Sequence, residues 1–430
     1  MDIAILVLGI VLLSVLVFYG FQMPVAALIS GTVVLLLSGL NVYDGFLTTF
    51  MTSFSSFFQN YWLMMFLAAV FGKVIELGGV TSTVSTSIVD RLGPKYVIIT
   101  LMVVVFILGY GGVNSYVAIF TLYPLAVGMF KKADLPRQLF VAIYVGASCY
   151  TTAGAWTVGL HNVLPTKYLG TDLGADGFLS ILVLLVFFPL TAAFLYWRAA
   201  KYKKDGVHFI PLPDDPEFQA EAKHPNLIVA LLPIIILLIA VNGLGLQVEV
   251  GILVGILAGV LCYFPYLPKK KDVLFKGLSD VTSATLVMMA SIASATSFGA
   301  IITSTDAYAR IVPSLVNMGG NPLIAVAVIT TIMAGVAASA GGGLSIAMPI
   351  LAETFLPLGV NPAAIHRIAD LACTGLDSLP HNGVIMGLMV YSKTNPREAY
   401  GNVFVVSVII PILYTAFAIL FHTIMGTVYI

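Results

Sequence analysis

The chain has 430 residues, 59% of them hydrophobic and only 9% charged, with 20 basic residues balanced by 20 acidic ones. A soluble domain carries roughly 25% charged residues, and zero net charge gives no electrostatic footing for nucleic acid. What remains is an all-α polytopic membrane protein with the lipid bilayer as its surroundings.

The apolar segments run, in chain order, over 3–19, 24–40, 60–77, 96–130, 136–168 and 178–197, then 227–242, 248–265, 281–303, 322–357, 362–391 and 403–425. The first has no basic leader and no small-residue cleavage site, so it reads as a retained helix. A polar stretch from Trp197 to Asn226 separates the two sets of six. The same order on either side, two spans, a third, two long runs and a last span, is an internal repeat. It divides the chain into 1–197, a linker at 198–226, and 227–430.

The long runs need arithmetic. Segment 96–130 would be a helix of roughly 52 Å against a hydrocarbon core of roughly 30 Å, yet two full spans need roughly 40 residues and a turn. It reads as a re-entrant hairpin whose tip is GYGGVNS, 109–115, offering Asn114 and Ser115. Its counterpart at 322–357 has the tip GVAASAGGGLS, 335–345, with Gly341, Gly342, Ser339 and Ser345. The companion runs read as broken helices. One is interrupted within GASCYTTAGAW, 146–156, which offers Thr151 and Thr152. The other is interrupted from Thr374 to Gly383, where Gly375 and Pro380 stand among Asp377, Ser378, His381 and Asn382. Backbone unwound at that depth persists only where protein or a water-filled cavity satisfies it.

Charge placement tests this layout. With the linker in the cytoplasm, Arg91, Lys95, Lys131, Lys132, Arg137, Arg198, Lys201, Lys203, Lys204, Lys269, Lys270, Lys271, Lys393 and Arg397 share its side. Loops 41–57, 169–177, 243–247 and 304–321 fall outside with the single basic residue Arg310. That positive-inside bias predicts about ten spans, two hairpins, two inverted-topology repeats and both termini external.

Half-helix N-termini and the tip hydroxyls suit a carboxylate. The substrate-contacting set is Asn114, Ser115, Thr151, Thr152, Gly341, Gly342, Ser345, Thr374, Ser378, His381 and Asn382. Asp377 and His381, four apart, read either as a proton-coupling pair, because His titrates near neutral pH, or as a helix cap beside a satisfied core histidine. Arg367 with Asp370 reads as a structural ion pair, Arg367 alternatively meeting an anionic solute, and His161 with Asn162 is a weaker pair. Cys149, Cys262 and Cys373 stand singly, without disulfide or metal spacing. There is no P-loop and no second aspartate in a protease motif, so the chain reads as a transporter and not an enzyme, with no cofactor and no metal.

The stretches FGKVIELGGVTSTVSTSIVDRLGPK (71–95), GADGFLSILVL and GGNPLIAVAVITTIMAG resemble the gluconate permease (GntP-type) family of bacterial carboxylate:proton symporters, in the wider ion transporter superfamily. HRIADLACTGLDSLPHNG (366–383) is the most specific piece. It is similar to a sub-branch linked to short hydroxy acids such as 3-hydroxybutyrate. Gluconate-type members carry a Pro-His-Pro segment where this chain reads TTAGAWTVGLHN. The resemblance implies an inverted-repeat fold, often a homodimer, in a bacterial inner membrane, importing a gluconate-like sugar acid or short hydroxymonocarboxylate with protons. Sodium coupling is the near alternative, and an anion channel the more distant one.

Overall fold

The computed structural model describes residues 2–80, 83, 93–110, 115–157, 160–213, 215, 224–240, 244–306 and 320–429. Nearly all of them are helical, and the one β-bridge among them pairs Val360 with Tyr429. In chain order the helices are α1 (Asp2–Phe18), α2 (Met23–Leu37), α3 (Val42–Leu77), α4 (Val97–Tyr110), α5 (Ser115–Ala133), α6 (Gln138–Thr152), α7 (Leu160–Leu169) and α8 (Gly177–Lys204). After the linker come α9 (Leu227–Leu238), α10 (Val248–Tyr263), α11 (Lys271–Thr303), α12 (Pro322–Ala337), α13 (Ala340–Phe355), α14 (Pro362–Ala372), α15 (Gly383–Tyr391) and α16 (Pro396–Met425). Among the described residues, α3, α8, α11 and α16 are long and apolar enough to cross a membrane. The chain is a polytopic helical membrane protein.

Local chemistry sets many of these boundaries. Three helices of the second half, α12, α14 and α16, begin at Asn-Pro. In each, the Asn side chain accepts a backbone N–H two residues on, and the proline stands at the first helical position. An Asn cap satisfies an orphan donor while Pro removes one. Between α12 and α13 the chain reverses over Ala338 and Ser339 alone. Ala338 takes φ +51°, and Ser339 accepts from Gly342 N as the cap of α13. The two arms touch because Gly343 lacks a side chain; a Cβ there would stand 2.4 Å from the backbone N of Ala334. With 16 residues each, the arms reach about 24 Å and fall short of a full crossing. Both α3 and α16 contain a π-helical turn, at Gly45–Phe50 and Val405–Ile409.

The structure shifts several expected boundaries. Segment 41–57, expected as a loop, is the start of α3. The first break occupies only the later part of 146–156 and runs one residue past it: α6 stays helical through Thr152, and Ala153–Thr157 is the part of the break that is described. Gly146 serves packing, because a Cβ there would press on Val406 and Thr191 at 3.1 Å. The second tip is shorter than 335–345, so Gly341, Gly342 and Ser345 belong to the first turns of α13. The second break, 373–382, falls almost where it was expected. Asn114 and Gly112 of the first tip, and Arg91 and Arg310, lie outside the described residues.

Packing recurs across the linker. α1 packs on α2 as α9 on α10; α4 packs on α6 as α12 on α14; α6 packs on α8 as α14 on α16. α2 lies on α11 while α10 lies on α3, so the halves interleave.

Candidate functional site

The second break folds back onto the turn between α12 and α13. Asn382 makes this possible. Its Oδ1 caps α15 by accepting from Ile385 N at 3.0 Å, and its Nδ2 donates to Ala338 O (3.1 Å) and Asp377 O (2.8 Å). His381 donates from Nε2 to Gly335 O at 2.8 Å. A carbonyl only accepts, so Nε2 carries the proton, and Nδ1 is left buried without a partner. Gly335 lies against the Leu376 side chain so closely that a Cβ would stand 2.8 Å from it. Thr331 Oγ1 donates to Ala372 O (3.0 Å), satisfying a carbonyl at the end of α14.

Asp377 sits at the centre of this contact. Ser378 Oγ donates to its Oδ1 at 2.8 Å, and the Ala340 backbone N–H at the start of α13 faces the same carboxylate. A helix N-terminus favours negative charge, and here it is one of the protein's own carboxyl groups that faces it. Asp377 and Gly342 are half-buried and Ser339 and Ser345 exposed, whereas Ser378, His381 and Asn382 are buried. Asp377 and His381 make no hydrogen bond or ion pair to each other. Their partners lie on different parts of the tip. Thr374 faces away, bonded to Leu371 O and to Tyr414 OH on α16. Ser345 donates back to Gly341 O.

The first break meets the end of α4 in the same manner. Tyr110 OH donates to Ala155 O at 3.1 Å, and Gly109 admits Thr151, whose Oγ1 donates to Ser148 O. Ser115 is exposed, its carbonyl accepting from Tyr144 OH, and Thr152 is half-buried at the end of α6. A cavity of about 10 Å³ opens here beside Tyr110, Gly154 and Tyr414, room for one water. Among the described residues no hydrogen bond joins Ser115, Thr151 or Thr152 to the Asp377 cluster. Contact between the halves comes from elsewhere.

The strongest polar tie near the breaks is Arg367, fully buried on α14. Its Nε donates to Ala175 O (3.2 Å). Nη1 donates to Ala153 O and to Asp370 Oδ2, both at 3.0 Å, and Nη2 to Asn162 Oδ1 (3.2 Å) and Ala175 O (2.8 Å). Guanidinium has five N–H donors, and all five are taken. Three of the acceptors, Ala153, Asn162 and Ala175, belong to the first half. His366 adds two more bridges, to Asn162 Oδ1 (2.9 Å) and Thr171 Oγ1 (2.7 Å). The ion pair was legible in the sequence; its service as a bolt between the halves was not. Thr331 was likewise missing from the expected set, whereas the cap Ser339 was among its tip donors. Among the described residues no group of three or more His, Cys, Asp or Glu could hold a metal ion.

Residues 1–247, more than half of the chain, match the family model of GntP family permease. The chain is 26% identical over 460 residues to an uncharacterized transporter, YxjC, of Bacillus subtilis (strain 168), covering 95% of this chain and 96% of that one. An uncharacterized transporter of Haemophilus influenzae (strain ATCC 51907 / DSM 11121 / KW20 / Rd) is 23% identical over 322 residues, 74% of each. The crystal structure of the Alcanivorax borkumensis YdaH transporter aligns over 89% of both chains with 13% identity and a TM-score of 0.42. With the family model matched over more than half of its length and transporters among its relatives, this chain belongs to the GntP permease family of transporters.

Proposed function

We propose that the chain is a secondary active transporter that imports a small organic anion, a gluconate-like sugar acid or a short hydroxymonocarboxylate, by proton symport. The observation that carries this reading is the carboxylate of half-buried Asp377 facing the N-terminus of α13. A proton on Asp377 cancels its attraction to that helix end and frees the end for the solute's carboxylate; loss of the proton returns Asp377 and expels the solute. Protonation and solute occupancy are thereby linked through one position, and such linkage is what coupling requires. Gly342, Ser339 and Ser345 line the same approach, with Ser378 and Asn382 holding Asp377 from behind. The repeated packing of α1–α8 in α9–α16 supports two inverted-topology repeats with a cytoplasmic linker, hairpins at α4–α5 and α12–α13, and alternating access about the breaks.

Uptake of labelled gluconate and 3-hydroxybutyrate into proteoliposomes under an imposed pH gradient, with and without sodium, tests the reading. Accumulation that follows the proton gradient in sodium-free buffer supports it. Accumulation that requires sodium replaces the proton with Na⁺. Flux that never exceeds equilibration under either gradient rejects coupled transport in favour of a channel.

A further inference from the structure

Far along the chain from the Asp377 cluster, a run of hydrogen bonds connects the linker to the end of the second broken helix. Asp215 lies in the linker. Its carboxylate forks onto Arg137, Oδ1 3.0 Å from Nη1 and Oδ2 2.5 Å from Nη2, and Oδ2 also accepts from Leu212 N at 2.7 Å. Arg137 Nη2 donates as well to Ile210 O (2.9 Å), and the guanidinium lies 5.0 Å from the centre of the Phe209 ring. Arg137 stands at the start of α6, only 7% exposed. Its Nη1 donates to Tyr123 OH on α5 (2.7 Å), and Tyr123 OH donates in turn to Ser392 O (2.9 Å), the residue that ends α15. Tyr123 is 8% exposed and Ser392 fully buried.

Each link in this run depends on the one before it. The Tyr123 oxygen receives its hydrogen bond from a cation, which strengthens the bond its own O–H makes to Ser392. Arg137 can stay buried only while a carboxylate compensates it, and Asp215 is the carboxylate it bonds. Arg137 Nε–H is buried and has no partner, so without Asp215 the side chain gains by turning toward water. Tyr123 would then lose its donor, and Ser392 its tie to α5.

We propose that this run is a latch, in which the linker carboxylate of Asp215, acting through Arg137 and Tyr123, holds the linker-side end of α15 closed. The proposal rests on reading α14–α15 as the broken helix along the solute path. The linker thereby becomes a working part of the gate, and whatever draws Asp215 away opens the second break to its own face of the membrane.

Accessibility in nanodiscs tests the latch without any solute, so failure of carboxylate uptake would count against the transport reading alone. In a protein whose three cysteines are replaced by alanine, Met389→Cys places a thiol in the last turn of α15, where the side chain is 1% exposed. Asp215→Asn and Tyr123→Phe are each expected to speed its labelling by a polar maleimide about tenfold, the scale of one charge-assisted buried hydrogen bond. The double variant is expected to be no faster than the faster single one, because both cut one chain. Labelling of Asp215→Asn at the parental rate overturns the proposal, as does a double variant whose rate is the product of the singles. A control thiol, Met102→Cys, lies fully buried in α4. If Asp215→Asn exposes that thiol too, the variant has opened throughout and the latch is rejected.

Discussion

Arg367 and Asp377 are ten residues apart on the same interrupted segment, and the protein treats their charges in opposite ways. Arg367 is sealed, with five donors, five bonds and no exposure. Asp377 is half-buried, holding one side-chain hydrogen bond and facing a helix end that another anion could occupy. A saturated charge fixes geometry, because every way of moving it breaks bonds that nothing replaces. An unsaturated one can change partners at little cost. The first joins the halves, and the second is the one proposed to respond to solute and protons.

Removing the sealed charge should do the most damage. Arg367→Met leaves Asp370 buried and uncompensated, an error worth about 3–5 kcal/mol, and is expected to give a protein with a sharply lowered melting temperature in detergent. Arg367→Met with Asp370→Leu should recover much of that loss. If the single variant melts like the parent, Arg367 is no bolt. Asp377→Asn should reverse this pattern. Asparagine can still accept from Ser378 and face Ala340, so stability is expected to change by only about 0.5 kcal/mol, while gradient-driven uptake falls about tenfold or more and solute binding loses its pH dependence. Normal uptake with an unchanged pH profile from pH 5 to 8, a range set around the reference histidine pKa of about 6.5, would retire Asp377 as the coupling group.

Two neighbouring glycines sharpen the contrast. Gly343→Ala forces a methyl onto the Ala334 backbone and is expected to cost about 1–3 kcal/mol. At Gly342 the nearest atoms to an added Cβ are 3.3 Å away, Ser339 Cβ foremost, so Gly342→Ala should fold normally and weaken solute binding instead. Melting curves and binding isotherms on the pair decide this; equal melting temperatures would mean that the hairpin arms do not meet at Gly343.

The smallest effect concerns the linker's outer tie. Asp134 accepts from His208 at 2.6 Å and from Phe209 N at 3.1 Å, and its carboxyl is held below the usual range, first by the His208 hydrogen bond and then by that from Phe209. A depressed carboxylate contributes above its unfolded pKa, about 3.9, and loses that contribution only as pH falls through its lower folded value. Between pH 5 and 8 the ionisation of Asp134 should therefore be constant, as carbon-detected NMR of its carboxyl can verify; a carboxyl shift titrating in that window would contradict the contact.

How much of this was legible in the sequence followed from where each signal resides. The second break showed because Gly375, Pro380 and the cap Asn382 are local signals, each acting within a turn or so of itself. The first break was bounded too widely at its start, because the partners that make Gly146 a packing residue, Val406 and Thr191, stand far away in sequence. Asp377, Ser378, His381 and Asn382 were found as a set. The surroundings of Arg367 were not, since three of its five bonds go to the main-chain carbonyls of Ala153 and Ala175. A carbonyl belongs to every residue and leaves no trace in the choice of side chain.

The π turn of α16 has one more consequence. Tyr400, before it, donates to Ser378 O, and Tyr414, after it, bonds Thr374, so one helix grips the second break from both sides of the widened turn. The two grips stay in phase because the widened turn absorbs its extra residue. Inserting an alanine after Ile412, in the α-helical part between the grips, would leave an unbroken helix of nearly the same length, yet rotate everything beyond it by about 100°. Tyr414 would swing off Thr374 while Tyr400 stayed in place. Helix content by circular dichroism should survive that insertion and the melting temperature should not, so this helix tolerates exchange of side chains far better than an added residue.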